Sequence, residues 1–363
     1  MKSLSLFERV GYPSVSRRLA WLDAVKCLSA FAVVMTHIAS ITWQAVDPSS
    51  NSWLVASVYE IVTRFAVPCF FMTSGALLLN PNKRLSTARL FRRYLAPTAI
   101  LALTASVLFC LFQQVLVGQL SISHLVRAAL DGPYFIWYLW VLVALYAMTP
   151  ALRTLAKDDR ALTNMVGCLF VLVLGRSTLD TMATGSTLTA FADNFIVFSR
   201  GSEGLLYYLL GAWLVSNRPV KAVRWGLYAS GVAALVLAIV LNAMSARAIG
   251  PDLYYVGRDN VLIALFAVAL FELVRSMVGD ATSPPLLGLL TSWGMGIYLI
   301  HPFIRLAMES LGCTAPAVSW LLGAPALAIP AVSVAIWAIS AILAALLFCL
   351  RSALRGLIRP SCR

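Results

Sequence analysis

Charge is what this chain has least of. Asp, Glu, Lys and Arg make up 12% of its 363 residues, against roughly a quarter in ordinary soluble domains. With 60% hydrophobic residues and a mean hydropathy of +0.84, the composition is that of an integral membrane protein. Acidic residues are the scarcer sign, 15 against 28 Lys and Arg, leaving a net charge of +13. That excess invites a nucleic-acid partner, but the basic residues fall in short clusters between apolar runs, as loop anchors do, so no nucleic acid is expected. The seven cysteines, Cys27, Cys69, Cys110, Cys168, Cys313, Cys349 and Cys362, lack CxxC spacing and mostly lie in apolar runs. They read as packing residues, with neither a disulfide framework nor a metal site expected. No internal repeat is found, which counts against the two-fold build of many secondary transporters.

Apolar runs predict an all-α, polytopic membrane helical bundle of about ten transmembrane helices, at 22–43, 54–79, 94–117, 134–152, 161–175, 203–216, 225–244, 260–279, 287–309 and 327–350. The sixth run is short, and an earlier start near Phe195 would lengthen it. The basic segment 1–20 precedes a run too long for a cleaved signal, so that run is read as a retained first helix. Placed on alternate sides of these spans, 20 of the 28 Lys and Arg fall on one side and six on the other. The richer side is the cytoplasmic one, which puts both termini, including the basic tail 351–363, inside. No loop is long enough for a second domain, so residues 1–363 are expected to form one membrane domain. The longest outer segment, Arg176 to Ser202, is expected as a loop or interfacial element over the outer mouth.

The stretch Trp21 to Trp43 is long enough to cross a bilayer, yet it carries Asp23, Lys26 and His37. A charge near the middle of a span costs about 2.5–3.5 kcal/mol on insertion scales, so such residues mark function by default. Lys26 and His37 lie about 20° apart around a helix and about 16 Å apart along it, on one face. Asp23 is close enough to be a neighbour of Lys26 on that face. With the termini inside, Glu60 and His301 fall at the depth of His37, Arg64 one turn deeper, and Ser74 near the level of Lys26. Trp137 and Tyr138 belong to an aromatic cluster at the outer end of the fourth span.

Such residues, if gathered, hold the parts of acyl transfer to a hydroxyl. A histidine serves as general base or transient acyl carrier, Glu60 orients it, Arg64 or His301 stabilises the oxyanion, and the aromatic faces of Trp137 and Tyr138 suit sugar rings. On the inner side, Asp23, Lys26, Ser74 and the basic loop Lys83 to Arg93 suit a phosphorylated donor. Each residue also has a plainer reading. Glu60 and Arg64 neutralise each other at i and i+4, and Asp23 with Lys26 anchors the helix at the interface. The aromatics fit a membrane belt, and His301 before Pro302 bonds backbone freed by the proline.

The segments WLDAVKCLSAFAVVMTH, RFAVPCFFMTSGALLL, DGPYFIWYLWVLVALYAMTPALR and WGMGIYLIHPFI resemble, in order and at fitting intervals, the acyltransferase-3 family of bacterial membrane O-acyltransferases. They are similar in particular to stand-alone O-acetyltransferases of surface glycans. The resemblance covers nearly the whole chain. It implies acyl transfer, usually of acetyl, from acyl-coenzyme A to a hydroxyl of a cell-surface carbohydrate or its lipid-linked precursor, in the bacterial inner membrane. Acetyl-CoA is then a donor substrate, with no permanently bound cofactor, and membrane lipid, a homo-oligomer or a glycan-assembly partner completes the setting. The family's first-helix signature, an arginine, ten residues and a histidine, maps onto Lys26 and His37. Lysine keeps the charge and loses the bidentate fork. The chain ends soon after its last span, so acceptor choice is expected from the membrane domain or a partner. The competing reading is a carrier or exporter of a small polar solute or glycan precursor, using the same intramembrane charges as a binding site.

Overall fold

A computed structural model describes residues 18–118, 120–182, 202–251, 255–310, 320 and 323–358. The expected early start of the sixth span, most of the expected outer loop after Arg176, and most of the basic amino-terminal segment lie outside the described residues. The chain runs through α1 (Ala20–Ala45), α2 (Asn51–Thr63) and α3 (Ala66–Leu78). A short α4 (Thr87–Leu90) passes through a π turn at Phe91–Leu95 into α5 (Ala96–Val117), followed by α6 (Ile122–Asp131) and α7 (Trp137–Leu155). Next come α8 (Asp159–Leu169), a second π turn at Phe170–Leu174, α9 (Gly175–Met182) and α10 (Ser202–Ser216). The remaining helices are α11 (Lys221–Ile249), α12 (Val261–Val278), α13 (Pro285–Ser310) and α14 (Pro325–Ile358).

Among the described residues, nine helical stretches are long and apolar enough to cross a membrane, and extended pairing is confined to an isolated bridge between Leu19 and Thr282. The protein is an all-α, multi-pass membrane bundle. The remaining expected crossing, the sixth, is α10, which has 15 described residues, short of the roughly 20 a span needs. α2 and α3 form one crossing broken at Arg64 and Phe65. Pro68 explains the break, since its ring collides with the carbonyl four residues earlier, that of Arg64, and it has no N–H to offer that oxygen.

The chain divides into two compact units, Met1–Ala66 with Phe271–Arg363, and Val67–Leu270. In the first, α1 packs against α2, α13 and α14, and α13 runs along α14. Small residues permit this closeness: a Cβ added at Gly296 would lie 2.7 Å from the Ala344 Cβ. Ser50 caps α2 by accepting from the Trp53 N–H at 3.1 Å, and the Trp53 indole donates to the Trp43 carbonyl at 3.1 Å. Arg275, expected as an inner-loop cation, is instead only 5% exposed. It lies in the last turn of α12, 3.3 Å from Glu272 and over the Trp21 ring at 5.5 Å. An arginine can be buried there because a carboxylate and an aromatic face both meet it.

In the second unit, α3 and α10 cross so closely that glycine is required on both helices. A Cβ at Gly75 would overlap the Tyr208 backbone, and one at Gly211 would overlap the Met72 backbone. Arg153, in the last turn of α7, donates to the carbonyls of Leu78, Asn80 and Lys83. It thereby supplies the missing donors at the carboxyl end of α3 and fixes the following loop.

Candidate active site

His37 is half-buried on α1, one residue after Thr36. The Thr36 hydroxyl donates to the Thr63 hydroxyl at 2.7 Å, tying α1 to the end of α2 beside Arg64. His301, 1% exposed on α13, stacks on His37 with ring centroids 5.2 Å apart and planes 23° apart. Its Nδ1 lies 3.1 Å from the Ile297 carbonyl, with the Tyr298 carbonyl also in reach. Pro302, next in the helix, cannot bond the Tyr298 oxygen, so the imidazole serves backbone that the proline leaves short. A ring nitrogen facing carbonyls carries a proton, so in the neutral ring the lone pair falls on Nε2. That Nε2 is buried and has no hydrogen-bond partner among the described residues.

Glu60, 2% exposed, pairs with Arg64 one turn on. The Glu60 Oε2 and Arg64 Nε atoms have no hydrogen-bond partner among the described residues. Arg64 and Arg305 both act electrostatically on His37. Two imidazoles, a carboxylate and two guanidinium groups are therefore associated within the first unit. A base, a proton acceptor beside it and cationic groups that can meet a developing oxyanion are what acyl transfer to a hydroxyl requires.

A profile of the acyltransferase-3 family, described as an acyltransferase domain, matches residues 19–350. The chain belongs to that family. It is a membrane acyltransferase, with His37 and His301 both inside the matched region. Searches of curated proteins and of solved structures find no match.

The other expected site residues of this acyltransferase are distributed as follows. Asp23, 4% exposed, is held by Arg18 through bonds of 2.9 and 3.1 Å, and Arg18 also donates to the Ser292 hydroxyl at 2.9 Å. The Asp23 backbone carbonyl accepts from Thr291 at 3.2 Å. The carboxylate thus joins the start of α1 to α13 through Arg18. Lys26 is half-buried. Ser74, Trp137 and Tyr138 belong to the second unit. There Ser74 bonds the Tyr146 phenol, Tyr138 lies 4.9 Å from Phe71 between ring centroids, and Trp137 is half-exposed.

At the carboxyl end of α3, Arg153 and the loop it holds gather cations. Desolvation, and then the guanidinium groups of Arg93, Arg153 and Arg89, push the Lys83 ammonium below its ordinary value. A cavity of about 140 Å³ sits beside this loop, lined in part by Asn80, Asn82, Ala156 and Ser216.

Arg18 and Arg305, which meet the expected site residues Asp23 and His37, escaped the sequence reading. Arg305 had a usable signal, since it lies one helical turn after His301 and therefore on the same face.

Proposed function

We propose that this membrane acyltransferase moves an acyl group, acetyl in the simplest case, from cytoplasmic acyl-coenzyme A to a hydroxyl of a cell-surface carbohydrate or its lipid-linked precursor. The reading is carried by one observation, the stacking of His37 on His301, with Arg64 and Arg305 acting electrostatically on His37. In this reading His37 takes the proton from the sugar hydroxyl as its oxygen attacks the thioester carbonyl. The C–S bond then breaks, the proton passes to the departing thiolate, and an O-acyl ester and free coenzyme A are left. Arg64, balanced by Glu60, and Arg305 stabilise the oxyanion of the tetrahedral intermediate. His301 holds a lone pair beside His37 and keeps the reacting ring in place.

The donor enters from the cytoplasmic side, where Lys26, with Asp23 and Arg18 shaping the start of α1, offers charge to phosphate. The Lys83, Arg89, Arg93 and Arg153 cluster does the same in the second unit, and Ser74 lies close to that end of α3. Lysine at position 26 meets phosphate as a point charge rather than as a fork. The inner membrane, with both termini in the cytoplasm, is the setting that the 20-to-6 distribution of Lys and Arg favours.

The test is transfer of radiolabelled acetyl from acetyl-CoA by the purified protein, with surface polysaccharide stripped of esters by mild alkali as acceptor. Ester formation by the wild type and its loss in His37→Ala is the expected pair of results. Wild-type protein that neither forms ester nor cleaves acetyl-CoA, while taking up a labelled solute into vesicles, would identify a carrier instead.

A further inference from the structure

The broken crossing of α2 and α3 leaves backbone oxygens that an unbroken helix would have satisfied, and the side chain that meets them bears on the reaction. The Arg64 N–H turns back to the Ile61 carbonyl at 3.1 Å. That oxygen lies three residues away instead of four, so the Glu60 carbonyl loses its helical donor. The Thr63 hydroxyl comes within 3.1 Å of the Glu60 oxygen and within 2.8 Å of the Tyr59 carbonyl. Thr63 therefore closes the last turn of α2 over the backbone of Glu60, the residue whose carboxylate pairs with Arg64.

The same hydroxyl reaches outside its helix. It accepts from the Thr36 hydroxyl at 2.7 Å, and Thr36 also lies 2.9 Å from the Ala32 carbonyl of α1. Thr63 is only 4% exposed, so water does not compete for this bond. Each threonine directly precedes a residue of the site, Thr36 before His37 and Thr63 before Arg64. A second tie comes from the Tyr59 phenol, which donates to the Ala326 carbonyl at the start of α14 at 2.9 Å. The end of α2 is thus pinned to α1 and to α14, all within the first unit.

Inside a bilayer, lipid tails are as apolar as the side chains between helices, so a hydrogen bond between two helices matters for their register. A slip of one residue moves a side chain about 1.5 Å along the axis and about 100° around it. Such a slip would carry Arg64 away from the imidazole on which it acts, and a displacement of about 1 Å is enough to cost a positioned group much of its effect. We propose that Thr63, through the Thr36 hydroxyl, is a positioning residue for acyl transfer, setting the level of the Glu60–Arg64 pair against His37. This rests on the acyl-transfer reading and adds to it the contact that aligns its base with its cation.

The experiment uses the full-length protein in nanodiscs. Thr63→Val keeps the branched shape and loses the hydroxyl, whereas Thr63→Ser keeps the hydroxyl. In acetyl transfer from acetyl-CoA, Thr63→Val is expected to lower kcat about tenfold with KM for acetyl-CoA unchanged, and Thr63→Ser to recover most of that loss. Thr36→Val added to Thr63→Val should slow transfer no further, because the two hydroxyls act as one unit. The chain has three histidines, so ring-15N labelling of histidine gives three sets of imidazole signals, with the His37 set assigned by its absence from His37→Ala. Thr63→Val should move the His37 set in the same direction as Arg64→Gln does, and Thr63→Ser should leave it near its wild-type position. A His37 set that stays in place in Thr63→Val overturns the positioning role, as does a loss of kcat that Thr63→Ser shares in full. Wild-type protein that transfers no acetyl while its His37 signals respond as expected would instead refute the acyl-transfer reading and leave the alignment by Thr63 standing.

Discussion

Arg18 holds the buried Asp23 carboxylate through both oxygens at 2.9 and 3.1 Å, and its remaining nitrogen reaches Ser292 on α13. Removing the arginine strands a carboxylate that is 4% exposed, the kind of change that costs about 3–5 kcal/mol when one partner of a buried pair is lost. Arg18→Ala is expected at the lower end of that range, because the Arg18 side chain is itself 19% exposed. The double variant Arg18→Ala with Asp23→Asn should recover part of the loss. Thermal unfolding in detergent, followed by circular dichroism, measures both.

The histidine pair separates chemistry from packing. His37→Ala should abolish acyl transfer, at least 100-fold, while expression and unfolding temperature stay close to wild type, since His37 is only half-buried. His301→Asn can keep a side-chain N–H on the Ile297 carbonyl and should retain the fold, whereas His301→Leu leaves those carbonyls short and should cost about 1–3 kcal/mol. Both His301 variants should slow transfer. Acetyl-transfer rates set beside unfolding temperatures decide the matter.

The crossing of α3 and α10 allows no added carbon. Gly75→Ala or Gly211→Ala drives a methyl into backbone rather than into a flexible side chain, so each should destabilise by about 3 kcal/mol, at the upper end of what overpacking costs. Gly226→Ala on α11, where an added Cβ meets nothing within 4 Å, is the matched control and should be neutral or slightly stabilising. The three unfolding temperatures check this.

Lys83 offers a pH handle outside the spans. Its folded pKa is depressed by desolvation and by Arg93, Arg153 and Arg89, so between that value and the ordinary 10.5 the unfolded chain binds more protons than the folded one. Stability should therefore rise with pH across this window, and Lys83→Gln should flatten that rise. The same substitution should weaken acetyl-CoA binding, with a smaller loss at high salt. Unfolding measured from pH 8 to 11 and coenzyme A titrations at two ionic strengths test the two halves.

Much of this architecture is legible without coordinates because a bilayer forces long apolar runs, and nine of the ten anticipated runs correspond to crossings, most with ends only a few residues displaced. The break at Arg64 was missed, although Pro68 announces it, because hydropathy runs straight through 51–78. Arg275 was read as a loop anchor because its position at the end of a span looks the same on paper whether the side chain meets water or Glu272 and Trp21. In the site, shared depth pointed to His37 with His301, since helix rise converts position into level. Which level neighbours touch is a matter of helix packing, so the grip of Arg18 on Asp23 had no signature in spacing.

The interruption at Arg64 and Phe65 carries one more implication. A carbonyl stripped of its helical donor at membrane depth has to be served by protein or by solvent, and this one follows Thr63, which is tied to Thr36 next to His37, the base of the proposed mechanism. If solvent serves it, hydrolysis of the thioester would then compete with the intended transfer on every turnover. On the proposed reading such an enzyme would conserve its donor if the saccharide arrived first, so the order of substrate binding becomes a measurable consequence of this break.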